Sequence, residues 1–237
     1  MNMSLYHGIS IITCTNRPPF MKQLLDNYDR QRYPNKELII VLNNNQMNRK
    51  KYRAQAERYP NVRVYRLPEH ISLGRCLNYG VTKARYPYIA KFDDDDYYAP
   101  RYLTNSMRTL QATKSDIVGK RAHYMYLQGK QVLLLRYGKQ EQKKVSLVQG
   151  ATLFGKRYVF QQVAFPDRNR GECVKFCSTC AAKGFKIYAG TKYDFAAIRR
   201  TASKQHTWVV SDNRLLSHHA RTIPHVKNYK KYVSRKD

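Results

Sequence analysis

Between residues 9 and 96, short apolar runs alternate with stretches of helical spacing, and that alternation restricts the chain to a few folds. Residues 9–14 form a β-rich run. Residues 15–19 break it, and the Pro18-Pro19 pair can open a helix. Phe20, Met21, Leu24, Leu25 and Tyr28 then keep helical spacing. After a turn at Tyr33-Pro34-Asn35, residues 37–42 read as a buried strand. A polar helical stretch runs to Tyr59, and residues 62–66 make a third strand. Ser72 caps a helix over 73–83, and residues 88–92 make a fourth strand. Strand and helix alternating at this spacing predict an α/β fold: a mostly parallel central sheet with helices on both faces. Such sheets bind ligands outside the carboxyl ends of their strands. Residues 13–17, 43–45 and 93–96 all fall at such ends, so a crevice is expected on that rim.

The second half is less regular. Residues 116–120 read as a strand, 123–135 as a hairpin turning at Gln128-Gly129-Lys130, and 149–154 as a short run. A helix over 172–182 closes at Gly184, and strands follow at 185–188 and 193–198. The expected organisation is one domain over 1–217, with a smaller mixed β/α region after about residue 100. The basic tail, 218–237, reads as a surface helix or a partly disordered extension.

Asp93, Asp94, Asp95 and Asp96 are consecutive in a chain that has only 16 acidic residues and a net charge of +28. Each ionised carboxylate opposes ionisation of its neighbours, so the run is costly to hold in an ordered place. A hard cation with oxygen ligands removes that cost. Acids at the end of a buried strand therefore suggest a divalent-metal site and chemistry on an anionic substrate.

The 44 Lys and Arg residues are spread along the chain in small clusters such as Arg49-Lys50-Lys51, which argues against a dedicated nucleic-acid arm. No run approaches the ~20 apolar residues of a membrane span. Residues 1–8 lack the apolar core of a secretory signal. Five cysteines without a disulfide framework fit reduced thiols. The default compartment is the cytoplasm, with the basic surface allowing a peripheral place at a membrane or surface layer.

Six stretches in order carry a resemblance. They are Ser10 to Arg17, Gln31 to Leu38, Leu73 to Gly80, Phe92 to Pro100 with its DxD pattern, Gly171 to Phe176, and Arg199-Arg200 with His206-Thr207-Trp208. Together they resemble the family-2 glycosyltransferases of the GT-A nucleotide-sugar fold, and more loosely the bacterial spore-coat or cell-surface saccharide type. The resemblance implies an inverting, metal-dependent transferase. It would move sugar from a nucleoside-diphosphate-sugar, a UDP-sugar being favoured, to a saccharide or anionic surface-polymer acceptor. It implies Mn²⁺ or Mg²⁺ held by Asp95 as direct ligand, with Asp96 and His206 in support. It places Thr13, Asn16, Arg17, Asn43, Arg75, Asp93 and Asp94 on the donor, and Glu172 as the base. The family often carries Asp where Asn43 stands, and usually Glu-Asp where this chain has Glu172-Cys173.

Each assignment has a plainer alternative: a solvated helix charge for Arg75, a helix cap for Glu172, and a surface histidine beside Trp208 for His206. Cys173, Cys177 and Cys180 have the spacing of a radical-SAM cluster site, but too little chain follows for the ~200 or more residues of a barrel. On a helix the three thiols fall within roughly 60° of arc, which reads as one packed face. Two further functions compete. One is a catalytically impaired GT-A-fold protein that binds nucleotide or nucleic acid. The other is a nucleotidyltransferase, for which no Gly-rich phosphate loop is present.

Overall fold

The computed structural model describes residues 7–200, 215–216 and 219–234. The chain opens with β1 (Ile9–Thr15), α1 (Met21–Asp29), β2 (Lys36–Leu42), α2 (Arg49–Ala56), β3 (Val62–Arg66), α3 (Leu73–Lys83) and β4 (Tyr88–Lys91). The expected alternation is present. Local chemistry sets its boundaries: Ser72 Oγ accepts from the Arg75 amide at the start of α3, and Asn48 does the same for Lys50 and Lys51 at α2. The first four strands lie in the order β3-β2-β1-β4, and every pairing among them is parallel.

Both faces of this half are covered, as the unbroken apolar run of β2 requires. Leu38, Ile40 and Leu42 pack into one core with Leu24, Leu25 and Tyr28 of α1. Ile39 and Val41 point the other way, into a core with Cys76, Leu77 and Val81 of α3. Side chains alternate with period 2 along a strand, so one strand feeds two cores. Each fully buried Ile or Leu contributes about 1.5–3 kcal/mol to holding the layers together.

Beyond β4 the main sheet becomes mixed. β10 (Phe154–Lys156) is antiparallel to β4 and to β6 (Ile117–Gly119), while β11 (Ile187–Ala189) runs parallel to β6 and β9 (Lys143–Lys144) closes the edge. Helices α4 (Tyr102–Thr113), α5 (Arg157–Gln162) and α6 (Glu172–Ala182) complete the layers. Cys173, Cys177 and Cys180 are buried on one face of α6, as the helical arc implied. Burial raises the Cys177 thiol to about 11 and the Cys180 thiol to about 12, so both stay protonated.

A second sheet holds β5 (Tyr97–Tyr98), β7 (His123–Leu127), β8 (Val132–Arg136), β12 (Phe195–Arg199) and β13 (Ala220–Ile223) in the order β13-β8-β7-β12-β5. β4 belongs to the first sheet and β5 to the second, so Asp93–Asp96 is the link between two sheets. The expected hairpin is β7–β8.

The tail departs from its reading as a surface extension. β13 pairs antiparallel with β8, and Val233 in the closing helix Tyr229–Val233 is fully buried. The Tyr229 ring stacks on Tyr126 at 4.3 Å, and the Asp194 amide donates to the Val233 carbonyl at 2.8 Å. The basic composition hid this because the large apolar residues Ile223, Val226, Tyr229, Tyr232 and Val233 are scattered among cations.

His123, at the start of β7, is buried, and burial leads the causes that lower its pKa to about 4; the nearby Arg136 and Arg121 add to it. The unfolded chain binds a proton there between pH 6.5 and 4 and the folded chain does not, so stability falls as pH drops through that window. Urea denaturation should show a loss of about 2 kcal/mol between pH 7 and pH 5 from this group alone. The His123→Gln variant should lack that part of the slope.

Candidate active site

β1 and β4 are adjacent and parallel, so their carboxyl ends bring Thr15 and Arg17 beside the aspartates. Thr15 Oγ1 donates to Asp94 Oδ2 at 2.5 Å. The Arg17 guanidinium pairs with Asp94 and reaches Asp95 Oδ2 at 2.9 Å. Arg200, which follows β12, pairs with the same Asp95 oxygen. Both guanidinium groups lie over the Phe20 ring, at 4.6 Å and 3.9 Å from its centroid. Two positive charges thus converge on one carboxylate oxygen, and the ring behind them favours that placement.

The four acids have separate environments. Asp96 is buried; its Oδ1 accepts from the Ile198 amide at 2.9 Å, and its carbonyl accepts from Gln23 and Asn27. Burial, reinforced by Asp95 and Asp93, pushes its pKa well above the carboxylate range. Burial, with Asp95 beside it, lifts Asp94 to about 6 in spite of Arg17. Burial also opposes ionisation of Asp95, but Arg17 and Arg200 outweigh it and hold that acid below its ordinary value. Asp95 is therefore the acid of the quartet whose charged form the two arginines favour. Asp93 is more exposed and pairs with Lys91, whose own side chain is buried.

Lys91 pairs with Asp93, and its charge also acts on the start of α6. Its charge is sensed by Asp93, then Cys173 and Glu172, and these outweigh the burial that would neutralise it. Glu172 is the first residue of α6, buried, where the helix dipole favours an acid. The Cys173 thiol donates to Glu172 Oε1 at 3.1 Å, and burial keeps that thiol protonated. The residue that replaces the family's usual Asp is thus a neutral donor to the glutamate. A Cβ on Gly150 would stand 2.8 Å from Cys173 Cβ and Sγ, so only glycine lets the 149–152 turn press on the start of α6.

The same turn is tied to the quartet by Tyr98, whose hydroxyl donates to the Ala151 carbonyl at 2.7 Å and accepts from the Asp93 amide at 2.8 Å. Tyr98→Phe keeps the ring stacked on Phe92 but orphans both backbone groups. It should cost about 1–3 kcal/mol, read as a lower urea midpoint at unchanged slope.

Other candidates are placed differently. Thr13 is buried, with its hydroxyl unpartnered among the described residues. Asn16 is exposed at the strand end, where its carbonyl accepts from Asn44. Asn43 donates its side-chain amide to the Pro68 carbonyl at 2.7 Å and its backbone amide to the Thr15 carbonyl at 2.8 Å. Arg75 is not brought to the quartet: it stands 3.8 Å from Asp167, and both side chains are exposed. Its surroundings are those of a solvated helix charge. His206 lies outside the described residues. Arg200 and Lys91 were not identified as site residues from the sequence. A run of four acids needing counter-charge was the available signal, but it does not say which cations supply it.

The donor set fits a hard divalent ion in chemistry. Asp95 Oδ2 already attracts two unit positive charges, and Mg²⁺ ordinarily takes one or two carboxylates, with substrate phosphates and water completing its shell. Among the described residues no trio of His, Cys, Asp or Glu is gathered to hold an ion unaided.

Known proteins resemble this chain in sequence and in fold. "O-antigen biosynthesis glycosyltransferase WbnJ" of Escherichia coli is 28% identical over 140 residues, 58% of this chain and 55% of that protein, so the chain spans about half the length of that relative. The crystal structure of S. aureus TarS 1–349 in complex with UDP-GlcNAc superposes with a TM-score of 0.67 at 17% identity, covering 86% of this chain and 61% of the other. The mannosyltransferase PcManGT from Pyrobaculum calidifontis, in complex with GDP-Man and Mn²⁺, gives 0.61 at 16% identity, over 84% and 57%. At these identities the two structures establish the shared fold, the GT-A sheet and helix arrangement. The glycosyl transferase family 2 model matches residues 10–188, and the chain belongs to that family.

Proposed function

We propose that the protein transfers a sugar from a nucleoside diphosphate to a saccharide acceptor in a single displacement, with inversion at the anomeric carbon. The observation that carries this reading is the pair of guanidinium groups converging on Asp95 at the carboxyl rim of the parallel strands. In the reaction the acceptor hydroxyl oxygen bonds to the anomeric carbon as the bond from that carbon to the diphosphate oxygen breaks. The electron pair leaves with the diphosphate, and the hydroxyl proton goes to Glu172. Arg17 and Arg200 face the rim where that charge develops, and guanidinium binds phosphate oxygens in a fork. The Cys173 thiol, donating to Glu172, holds it in place. Thr13, Asn16 and Asn43 hydrogen-bond the nucleotide, and Asp93 meets its sugar.

Mn²⁺ or Mg²⁺, held by Asp95 with Asp96 behind it, would supply charge neutralisation for the departing diphosphate when bound. A UDP-sugar is the donor of choice, which the TarS complex with UDP-GlcNAc supports. The acceptor is a saccharide or an anionic surface polymer. The free cysteines and the positive charge support a cytoplasmic place at the periphery of a membrane or surface layer. No helix among the described residues is long and apolar enough to cross a membrane.

A thermal-shift screen with nucleoside diphosphates and their sugars tests the reading, because a ligand of the native state raises the midpoint by mass action. UDP or a UDP-sugar should raise it, and more so with Mn²⁺. A flat response to every nucleotide, with and without the ion, would sink the proposal. The bond from Cys173 to Glu172 favours a second reading, a nucleotide binder without turnover. That reading predicts the same thermal shift with no release of nucleoside diphosphate.

A further inference from the structure

Away from the aspartates, a cavity of about 1080 Å³ opens where the edge of the main sheet meets β8 and β13. Arg121, Lys139, Lys144, Lys192 and Arg221 line it, and the lining contains no Asp or Glu. Lys192 is neutralised by Glu141 at 2.7 Å. Arg121, Lys139, Lys144 and Arg221 have no ion-pair partner among the described residues. Four uncompensated cations around one concavity focus a positive field that raises the local concentration of anions.

The wall is also organised. The Arg121 guanidinium lies 3.9 Å from the Tyr137 ring centroid, and the His219 ring stacks on Tyr137 at 5.2 Å. The Tyr137 amide donates to the His219 carbonyl at 2.8 Å. Tyr137 and His219 both have φ of +52°, a left-handed conformation that persists where surrounding structure enforces it. The ring thus holds Arg121 in place before any ligand arrives, which lowers the entropy lost on binding.

The cavity also connects to the active site. Lys120, the neighbour of Arg121, donates its amide to Thr152 Oγ1 and accepts at its carbonyl from the Gln149 amide. This is the turn that presses on Cys173 and receives Tyr98.

We infer that this cavity binds a phosphate-bearing segment of the saccharide acceptor, outside the donor site. The acceptor identity rests on the transferase reading above; the anion binding does not. A fixed guanidinium matches a tetrahedral oxyanion in a fork, and several cations around a cavity larger than one sugar needs match repeated phosphates. Nucleic acid fits less well, because single-strand binders stack bases on open aromatic faces and Tyr137 is already covered by Arg121 and His219.

The test uses the full chain and inorganic tripolyphosphate as probe, by calorimetry at two salt concentrations, beside the Arg121→Gln/Lys144→Gln/Arg221→Gln variant. UDP binding is measured on both proteins. The wild type should bind the probe saturably and more weakly at high salt. The variant should lose roughly tenfold or more of that affinity, with UDP affinity and thermal midpoint unchanged. Equal probe affinity in the folded variant, or no saturable binding by the wild type, would overturn the site. A random single-stranded DNA of equal charge that binds more tightly than the probe, and loses that binding in the variant, would overturn the saccharide assignment. Absence of UDP binding in both proteins would count against the transferase reading alone. A single Arg121→Lys variant guards against misfolding of the triple one: it keeps the charge, loses the fork, and should weaken the probe severalfold.

Discussion

In the Asp95→Asn enzyme, release of nucleoside diphosphate should fall by about two to three orders of magnitude while the protein stays folded. Asp95 is the acid that Arg17 and Arg200 both hold, and it is kept ionised against its burial. The amide is nearly isosteric, so packing is retained. It removes the charge that aligns both guanidinium groups at the rim and that would hold a divalent ion. The net effect on stability should be small because two changes oppose each other. The arginines lose part of their counter-charge, while Asp94 and Asp96 are freed from the repulsion that helps raise their pKa values. The assay is diphosphate release from a UDP-sugar with and without Mn²⁺, beside a urea curve. Turnover within tenfold of wild type in a folded Asp95→Asn protein would remove this residue from the mechanism.

Glu172→Gln should lower kcat by about 10²–10⁴-fold and leave donor binding unchanged. Gln keeps the shape and the acceptor for the Cys173 thiol but cannot take a proton. If Glu172 merely starts α6, the substitution forfeits only the helix-terminal charge interaction, about 0.3–1 kcal/mol of stability, with kcat intact. The two roles separate on three readouts: kcat, the UDP thermal shift, and the acidic limb of the pH–rate profile, which only a working base would carry. A variant with normal kcat would return Glu172 to a structural role.

Parts of this site were readable early. Ser72 as a cap, Leu73–Lys83 as α3 and Glu172–Ala182 as α6 follow from capping chemistry and a 3.6-residue period, and the structure has them at those positions. The three cysteines of α6 were legible as a packed face for the same reason. Arg75 and Arg200 show where such reading stops. Arg75 sits in a recognisable stretch, while its local partner, Asp167, comes from far along the chain. Arg200 had no local signature and reaches Asp95 across 105 residues of chain.

The sequence alone therefore determined the parallel half of the sheet, the rim on which its strands end, and the position of the acidic quartet on that rim. These depend on residues a few positions apart, where periodicity and caps act. Only the tertiary structure decided which of the 44 Lys and Arg residues answer those acids, that the tail completes a second sheet, and that a cationic cavity forms between the sheets. One cation looks like another along a chain. What distinguishes them is the fold-wide geometry that brings β1, β4 and β12 to a common edge and leaves Arg121 and Arg221 facing open space.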